Sequence, residues 1–241
     1  MFTLEEINEE VMKFNKYLSC NIPDITSFEY SDTQRYYGEV KKEEIVNGLY
    51  IIHFSNLLNN CVESYQRSVI WHELVHIYDI LWMINQYPDT DVSTIISSYS
   101  EAHATEIQLR YLLKITPIQI VNRGKRYLPY KNNDKEDLSV ITSEYINQSI
   151  QFAKNFQNSN NLNDFKSFIN NYCYLCGHMK MKRKADADKL IDYVHNLFPQ
   201  KYQKKLLELY NNIITNNYLG CGIIYSQMIA DAMEDLIFKT Q

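Results

Sequence analysis

The chain lacks the features that mark membrane proteins, secreted proteins and nucleic-acid-binding proteins. No segment approaches the ~20 uncharged apolar residues of a membrane span, and the longest apolar run near the C-terminus, residues 219–237, is interrupted by acidic residues. The first ten residues are acidic and do not have the basic-then-apolar order of a secretion signal. The net charge is −5, with dispersed lysine and arginine. These absences predict a soluble, cytoplasmic protein that binds neither membranes nor nucleic acid.

Cysteine is scarce, and its odd number argues against a disulfide framework. Five cysteines in 241 residues predict free thiols in a reducing compartment. Cys173, Cys176 and His178 have the spacing of half a zinc knuckle, but the sequence offers no second Cys/His pair to complete four ligands. The favoured interpretation of the two cysteines is therefore a pair of small buried residues within a helix.

One segment carries the residue pattern of a catalytic metal site. Residues 72–76 read His-Glu-Leu-Val-His, inside a helix predicted over residues 61–85. Histidines four residues apart project from one helix face, so both His72 and His76 can bind one ion. Glu73 leans toward that ion without binding it and can take a proton from metal-bound water. The segment resembles the zincin metallopeptidases; the alternative is a helix that happens to carry two surface histidines.

The third ligand of such a site must come from another part of the chain. A second helix is predicted to start near Ser98, and it offers Glu101, His103 and Glu106 as candidates. We favour Glu101, which small alanines flank, so that its helix can pack closely. Zincins of the glutamate-ligand class carry a third ligand in a Ser-Glu-x-x-Ala context, which residues 100–104 resemble. The alternative is that Glu101 closes a capping box with Ser98 and binds no metal.

The wider pattern refines this resemblance. His-Glu-x-x-His-x-x-Asp followed by Ser-Glu-x-x-Ala is similar to the mitochondrial proteases that process an ATP synthase subunit, although the likeness covers only these two segments. Asp79 and Trp82 replace the glycine and histidine of the longer metzincin signature, so that class is disfavoured. Asp79 is expected to accept an imidazole N–H or to tie the helix to a loop; a plain surface carboxylate is the alternative. Candidates for stabilising the reaction oxyanion are Tyr99, His103 and His178.

The order of predicted elements indicates an α+β fold. A helix over residues 3–19 precedes short strands over 25–30, 36–40 and 48–55, and the metal helix follows. The resemblance to zincins implies a small catalytic domain in which two or three strands precede the helix that carries the metal motif, and this order of elements agrees with it. It also implies that residues 50–54 form the sheet edge on which an extended substrate pairs; the alternative is an ordinary core strand.

The rest of the chain is predicted to be mostly helical. Helices are expected over residues 137–156, 163–176, 185–197, 200–215 and 221–238, with a polar loop at 132–136 and a linker at 158–163. We therefore predict a zincin-like domain over residues 1–117 and a helical region over residues 118–241. The helical region would serve as a cap, a docking surface or a dimer interface.

Together these patterns predict a zinc-dependent metallopeptidase with a protein or peptide substrate. His72, His76 and Glu101 would hold Zn²⁺, and Glu73 would be the general base. The alternative is a zincin-fold binding or regulatory protein that acts through its helical half without proteolysis. A zinc hydrolase that acts on non-peptide amides is a third hypothesis, because zinc-activated water can attack any carbonyl.

Overall fold

The computed structural model describes residues 2–32, 36–88, 91–121, 126–159 and 161–239. Over these residues the chain is mostly helical with a small sheet, so the broad α+β prediction is confirmed. None of the helices within the described ranges is long and apolar enough to cross a membrane.

The chain divides into two compact units that interleave in sequence. The first unit comprises residues 1–92, 103–119 and 124–138, and the second comprises residues 93–102, 120–123 and 139–241. The first unit contains the following elements: α1 (Leu4–Leu18), β1 (Ser27–Ser31), β2 (Gly38–Glu39), α2 (Lys42–Val46), β3 (Ile51–Ser55), a 3₁₀ turn (Asn56–Asn60), α3 (Glu63–Gln86) and the hairpin of β4 (Tyr127–Tyr130) and β5 (Asn133–Asp137). A further helix, α5 (Glu101–Leu113), is continuous across the division after residue 102.

Helix α1 begins with a capping box and is held against α3 by a buried carboxylate. The Thr3 side chain accepts a hydrogen bond from the backbone N–H of Glu6, and the Glu6 carboxylate accepts one from the N–H of Thr3. Glu10 is 1% exposed and accepts hydrogen bonds from Trp71 Nε1 at 2.8 Å and Arg67 Nη1 at 3.0 Å. These contacts satisfy a charge that would be costly to bury alone.

The first sheet has the strand order β1–β3–β2, with β1 parallel and β2 antiparallel to β3. Strand β3 is central, and its Ile52 and Phe54 are fully buried. The prediction that residues 50–54 form the sheet edge is therefore wrong, and the alternative of a core strand holds. Within the described residues, the strands at the two edges of this sheet are β1, which is parallel to β3, and β2, which is antiparallel to it.

A buried histidine joins three elements on the other face of this sheet. His53 is 4% exposed, and its Nε2 lies 2.8 Å from Glu44 Oε2 of α2. Its Nδ1 contacts Glu29 Oε1 of β1. With a carboxylate oxygen against each ring nitrogen, the imidazole ties β1, β3 and α2 together.

The hairpin of β4 and β5 was not anticipated from the sequence. The sequence predicts a polar loop over residues 132–136, but residues 133–137 pair antiparallel with residues 127–130. Tyr130 packs edge-on against Tyr65 of α3, with ring centroids 5.2 Å apart. Cross-strand pairing and aromatic packing thus override the low intrinsic β-propensity of an Asn-Asp-Lys-Glu-Asp segment.

The second unit consists of helices within the described residues. They are α4 (Ser93–Ile95), a π-helical turn (Ile96–Ser100), α6 (Leu138–Ser159), α7 (Leu162–Lys180), α8 (Lys184–His195), α9 (Gln200–Ile214) and α10 (Tyr218–Lys239). The bounds of α6 to α10 lie within four residues of those predicted. The predicted linker at residues 158–163 is shorter than expected, because α6 extends to Ser159 and α7 begins at Leu162; residue 160 lies outside the described ranges.

A glycine allows α10 to pack closely against α4. A Cβ atom on Gly222 would lie 2.8 Å from Ile95 Cγ1 and 2.9 Å from Thr94 Oγ1, which is closer than such contacts normally come. The ring of Tyr99 packs edge-on against Tyr218 at 4.5 Å, and its hydroxyl donates to Asn216 Oδ1 at 3.0 Å. These contacts fix the helical segment that precedes α5.

Candidate metal centre

Helix α3 presents two histidines on one face, as the four-residue spacing predicts. The ring centroids of His72 and His76 lie 4.9 Å apart at an interplanar angle of 74°. His76 is buried and His72 is half-buried. The helix runs without interruption from Glu63 to Gln86, so both rings are held by regular backbone far from either end.

Glu101 follows directly on an irregular helical turn. The segment is already helical from Ser93, and residues 96–100 form a π-helical turn of a kind often found at functional sites. The hydroxyl of Ser98 donates to the Thr94 carbonyl at 2.7 Å, so Ser98 lies inside the helical segment and does not begin a helix. The capping-box interpretation of Glu101 is therefore wrong, and so is the predicted helix start near Ser98.

The structure brings His72, His76 and Glu101 together. One ligand atom from each of the three residues lies within 4.8 Å of the others, and no other such group of three exists among the described residues. Two imidazole nitrogens and a carboxylate oxygen match the donor set of catalytic zinc sites. Zinc–ligand bonds of about 2.0–2.2 Å place tetrahedral ligand atoms roughly 3.4 Å apart, so ligand atoms at the full 4.8 Å would have to move closer together to hold one ion.

The Glu73 carboxylate lies against the antiparallel edge strand. A Cβ atom built on Gly38 would lie 2.7 Å from Glu73 Oε1 and 3.0 Å from Glu73 Cδ. Glu73 is 3% exposed. A glycine at residue 38 thus leaves room for the carboxylate of Glu73, the residue that follows His72 on α3.

Asp79 holds an imidazole, but it is that of His103 and not that of His72 or His76. Its two carboxylate oxygens lie 2.9 and 3.1 Å from Nδ1 of His103, and Asp79 is 3% exposed. Asp79 lies three residues beyond His76, and His103 lies two residues beyond Glu101. The pair therefore links α3 to α5 beside the candidate ligands, and the alternative of a surface carboxylate is wrong.

The candidates for oxyanion stabilisation have other partners. Tyr99 donates its hydroxyl to Asn216, and His103 pairs with Asp79. His178 is fully buried and lies 3.1 Å from Thr142 Oγ1, and burial lowers its pKa to about 3. Glu106, the remaining third-ligand candidate, forms an ion pair with Arg110, in which Oε1 lies 2.9 Å from Nε. None of these four side chains belongs to the His72–His76–Glu101 group.

The cysteines of the half-knuckle pattern are buried within α7. Cys173 and Cys176 are fully buried and carry free thiols, as the favoured interpretation predicted. Burial raises the pKa of both thiols, well above its ordinary value for Cys173. They act here as small core residues.

Two residues of the site region were missed from the sequence. Gln108 Oε1 lies 3.2 Å from His72 Nδ1, and Gly38 faces Glu73. Gln108 is seven residues after Glu101, two helical turns on, so the same face of α5 carries both; that spacing was a usable signal. Gly38 had no such signal, because the pairing of residues distant in sequence places it there.

Comparisons of the chain with protein-family models, with curated proteins and with solved structures found no match. The site described here is therefore interpreted from its own geometry and chemistry.

Proposed function

We propose that the protein is a zinc-dependent metallopeptidase in which His72, His76 and Glu101 hold the metal. The observation that carries the proposal is the convergence of these three side chains, with ligand atoms within 4.8 Å of one another. The two histidines come from one helix and the glutamate from another, as in zinc sites that keep a fourth position for water. The order of elements, in which strands β1 to β3 precede the helix α3 that carries both histidines, supports a zincin-like fold.

Glu73 is the proposed general base. Zinc, when bound, supplies Lewis acidity that polarises a carbonyl and makes water more acidic. Glu73 neighbours the ligand His72 in sequence and would accept a proton from the attacking water at a carboxylate oxygen. It would then pass that proton to the nitrogen of the leaving amine. Its low exposure limits competing hydration of the carboxylate.

The antiparallel strand β2 is the proposed edge for an extended peptide. Among described strands β2 pairs only with β3, so its other edge can pair with a peptide backbone. Gly38 of β2 lies against the Glu73 carboxylate. A peptide that pairs along β2 would pass beside the general base, which supports a peptide over a small amide as substrate.

A second candidate function is a binding protein that acts through its helical part. Four apolar residues of α10 are between 40% and 58% exposed: Leu219, Ile223, Met233 and Ile237. At 100° per residue they fall within an arc of about 80° along one helix face. Exposed apolar patches of this kind often mark interaction sites.

Substitution of the general base separates the two functions. Glu73→Gln keeps the shape of the side chain but cannot accept a proton, so we expect zinc content to be unchanged. Hydrolysis of a confirmed protein substrate should fall by about 10²–10⁴-fold or more. Glu43→Gln, on the exposed surface of α2, is the matched control and should behave as wild type.

Two outcomes would count against the peptidase. Undiminished hydrolysis by Glu73→Gln would refute the mechanism. A biological effect that survives in Glu73→Gln would favour the binding protein.

A further inference from the structure

We propose that Gln108 and Ser68 form a directed hydrogen-bond relay that fixes the tautomer of His72 and presents its Nε2 lone pair to the metal. The relay runs from His72 Nδ1 to Gln108 Oε1 at 3.2 Å, and from Gln108 Nε2 to Ser68 Oγ at 3.2 Å. It ends where Ser68 Oγ donates to the backbone carbonyl of Tyr65 at 2.6 Å.

The direction of the relay follows from its last member. A carbonyl oxygen only accepts hydrogen bonds, so the single hydroxyl proton of Ser68 is used on Tyr65. The Ser68 oxygen can then only accept from Gln108, which requires the NH₂ end of the amide to face Ser68. This leaves the amide oxygen of Gln108 facing His72.

The orientation of the amide decides the protonation of the imidazole. An amide oxygen accepts, so the neutral His72 ring must carry its proton on Nδ1. The proton-free nitrogen is then Nε2, whose lone pair can bind a metal. A backbone carbonyl of α3 thus sets the tautomer of a ligand on the same helix, through a side chain on α5.

The location of the relay is suited to this role. Ser68 is fully buried and lies one turn before His72 on α3, while Gln108 is half-buried on α5. Water competes poorly with hydrogen bonds at such buried positions. Partners that orient a metal-binding histidine are typically worth 10–100-fold in metal affinity.

The tautomer can be measured without metal. In apo protein labelled with ¹⁵N-histidine, at a pH where the ring is neutral, long-range ¹H–¹⁵N spectra distinguish a proton on Nδ1 from one on Nε2. We expect His72, assigned by comparison with His72→Gln, to carry its proton on Nδ1. A wild-type ring protonated on Nε2 would overturn the relay, whatever the protein does with zinc.

The second readout is zinc affinity, measured by competition with a chromophoric chelator. The affinity part of the proposal rests on the proposed zinc site. We expect Gln108→Leu to weaken zinc binding by about 10–100-fold. Ser68→Ala removes the hydroxyl that accepts from Gln108, so it should also weaken zinc binding and should mix the two tautomers of His72. The exposed Gln148→Leu of α6 is the control and should change neither.

The outcomes separate the relay from the proposed function. Wild-type zinc affinity in both Gln108→Leu and Ser68→Ala would overturn the relay while leaving the zinc site standing. No zinc binding by the wild type, with His72 still protonated on Nδ1, would overturn the zinc site while leaving the relay standing. If Gln108→Leu fails to fold, Ser68→Ala carries the test alone.

Discussion

At residue 38 the absence of a side chain allows the Glu73 carboxylate to lie against β2. We expect Gly38→Ala to displace that carboxylate, because the new Cβ would lie 2.7 Å from Glu73 Oε1. A shift of about 1 Å in a catalytic group can cost roughly 10²-fold in rate. Turnover should therefore fall by about 10²-fold while zinc content stays at the wild-type level.

The matched control for this substitution is Glu39→Ala on the same strand. Glu39 is exposed, and alternation along β2 directs it to the opposite face from residue 38. Hydrolysis by Gly38→Ala at the rate of Glu39→Ala would show that Glu73 does not act from its observed position.

The sequence predicted the ligand candidates better than their surroundings. Spacing within one helix is a local property, so His72, Glu73 and His76 could be placed from sequence alone. The small neighbours of Glu101 favour it as the third ligand, and in the structure its ligand atom lies within 4.8 Å of those of the two histidines. The partner of Asp79 was not predictable, because which imidazole it holds depends on how α3 and α5 pack.

Among the elements, α1 and α3 depend on one buried carboxylate. Glu10 accepts hydrogen bonds from Trp71 and Arg67 of α3. Burial raises the pKa of Glu10, but hydrogen bonds from Lys13, Trp71 and Arg67 together lower it below its ordinary value. Glu10→Ala would leave the Trp71 N–H and the Arg67 guanidinium without this acceptor. We expect the free energy of unfolding to fall by about 3 kcal/mol, measured by urea denaturation.

The neighbouring Glu9 provides the control for this prediction. It lies on the exposed face of α1, so Glu9→Ala should change stability by less than about 0.5 kcal/mol. Equal effects of the two substitutions would mean that the contacts of Glu10 do not hold α1 to α3.

Helices were predicted more accurately than strands, for a physical reason. The bounds of α3 and α6 to α10 follow from apolar periodicity within each segment, which needs no partner. The central place of β3 and the pairing of β4 with β5 depend on contacts between distant residues. The sequence therefore predicts a strand over residues 48–55, which the structure has at Ile51–Ser55, but it does not predict the neighbours of that strand in the sheet.

For the molecule as a whole, buried histidines make stability depend on pH. Burial lowers the pKa of His178 from 6.5 to about 3, so the folded chain keeps this ring neutral. Between pH 6.5 and about pH 3 the His178 ring is protonated in the unfolded chain but neutral in the folded chain. The free energy of unfolding therefore decreases as the pH falls below about 6.5. At pH 5 the loss due to His178 should be about 2 kcal/mol relative to pH 7.5.

The share of His178 can be isolated by substitution. Burial also lowers the pKa of His195, so the wild-type pH dependence contains more than one histidine. His178→Asn should reduce the difference in unfolding free energy between pH 7.5 and pH 5 by about 2 kcal/mol. An unchanged difference would mean that His178 is not held neutral in the folded protein.

The most direct test of the proposed zinc site is elemental analysis of natively purified protein. Wild type should contain one zinc per chain, Glu101→Ala should lose most of it, and the exposed Glu43→Ala should match the wild type. No zinc in the wild type, even after zinc is supplied and the excess removed, would contradict the metallopeptidase. Full zinc in Glu101→Ala would contradict Glu101 as the third ligand.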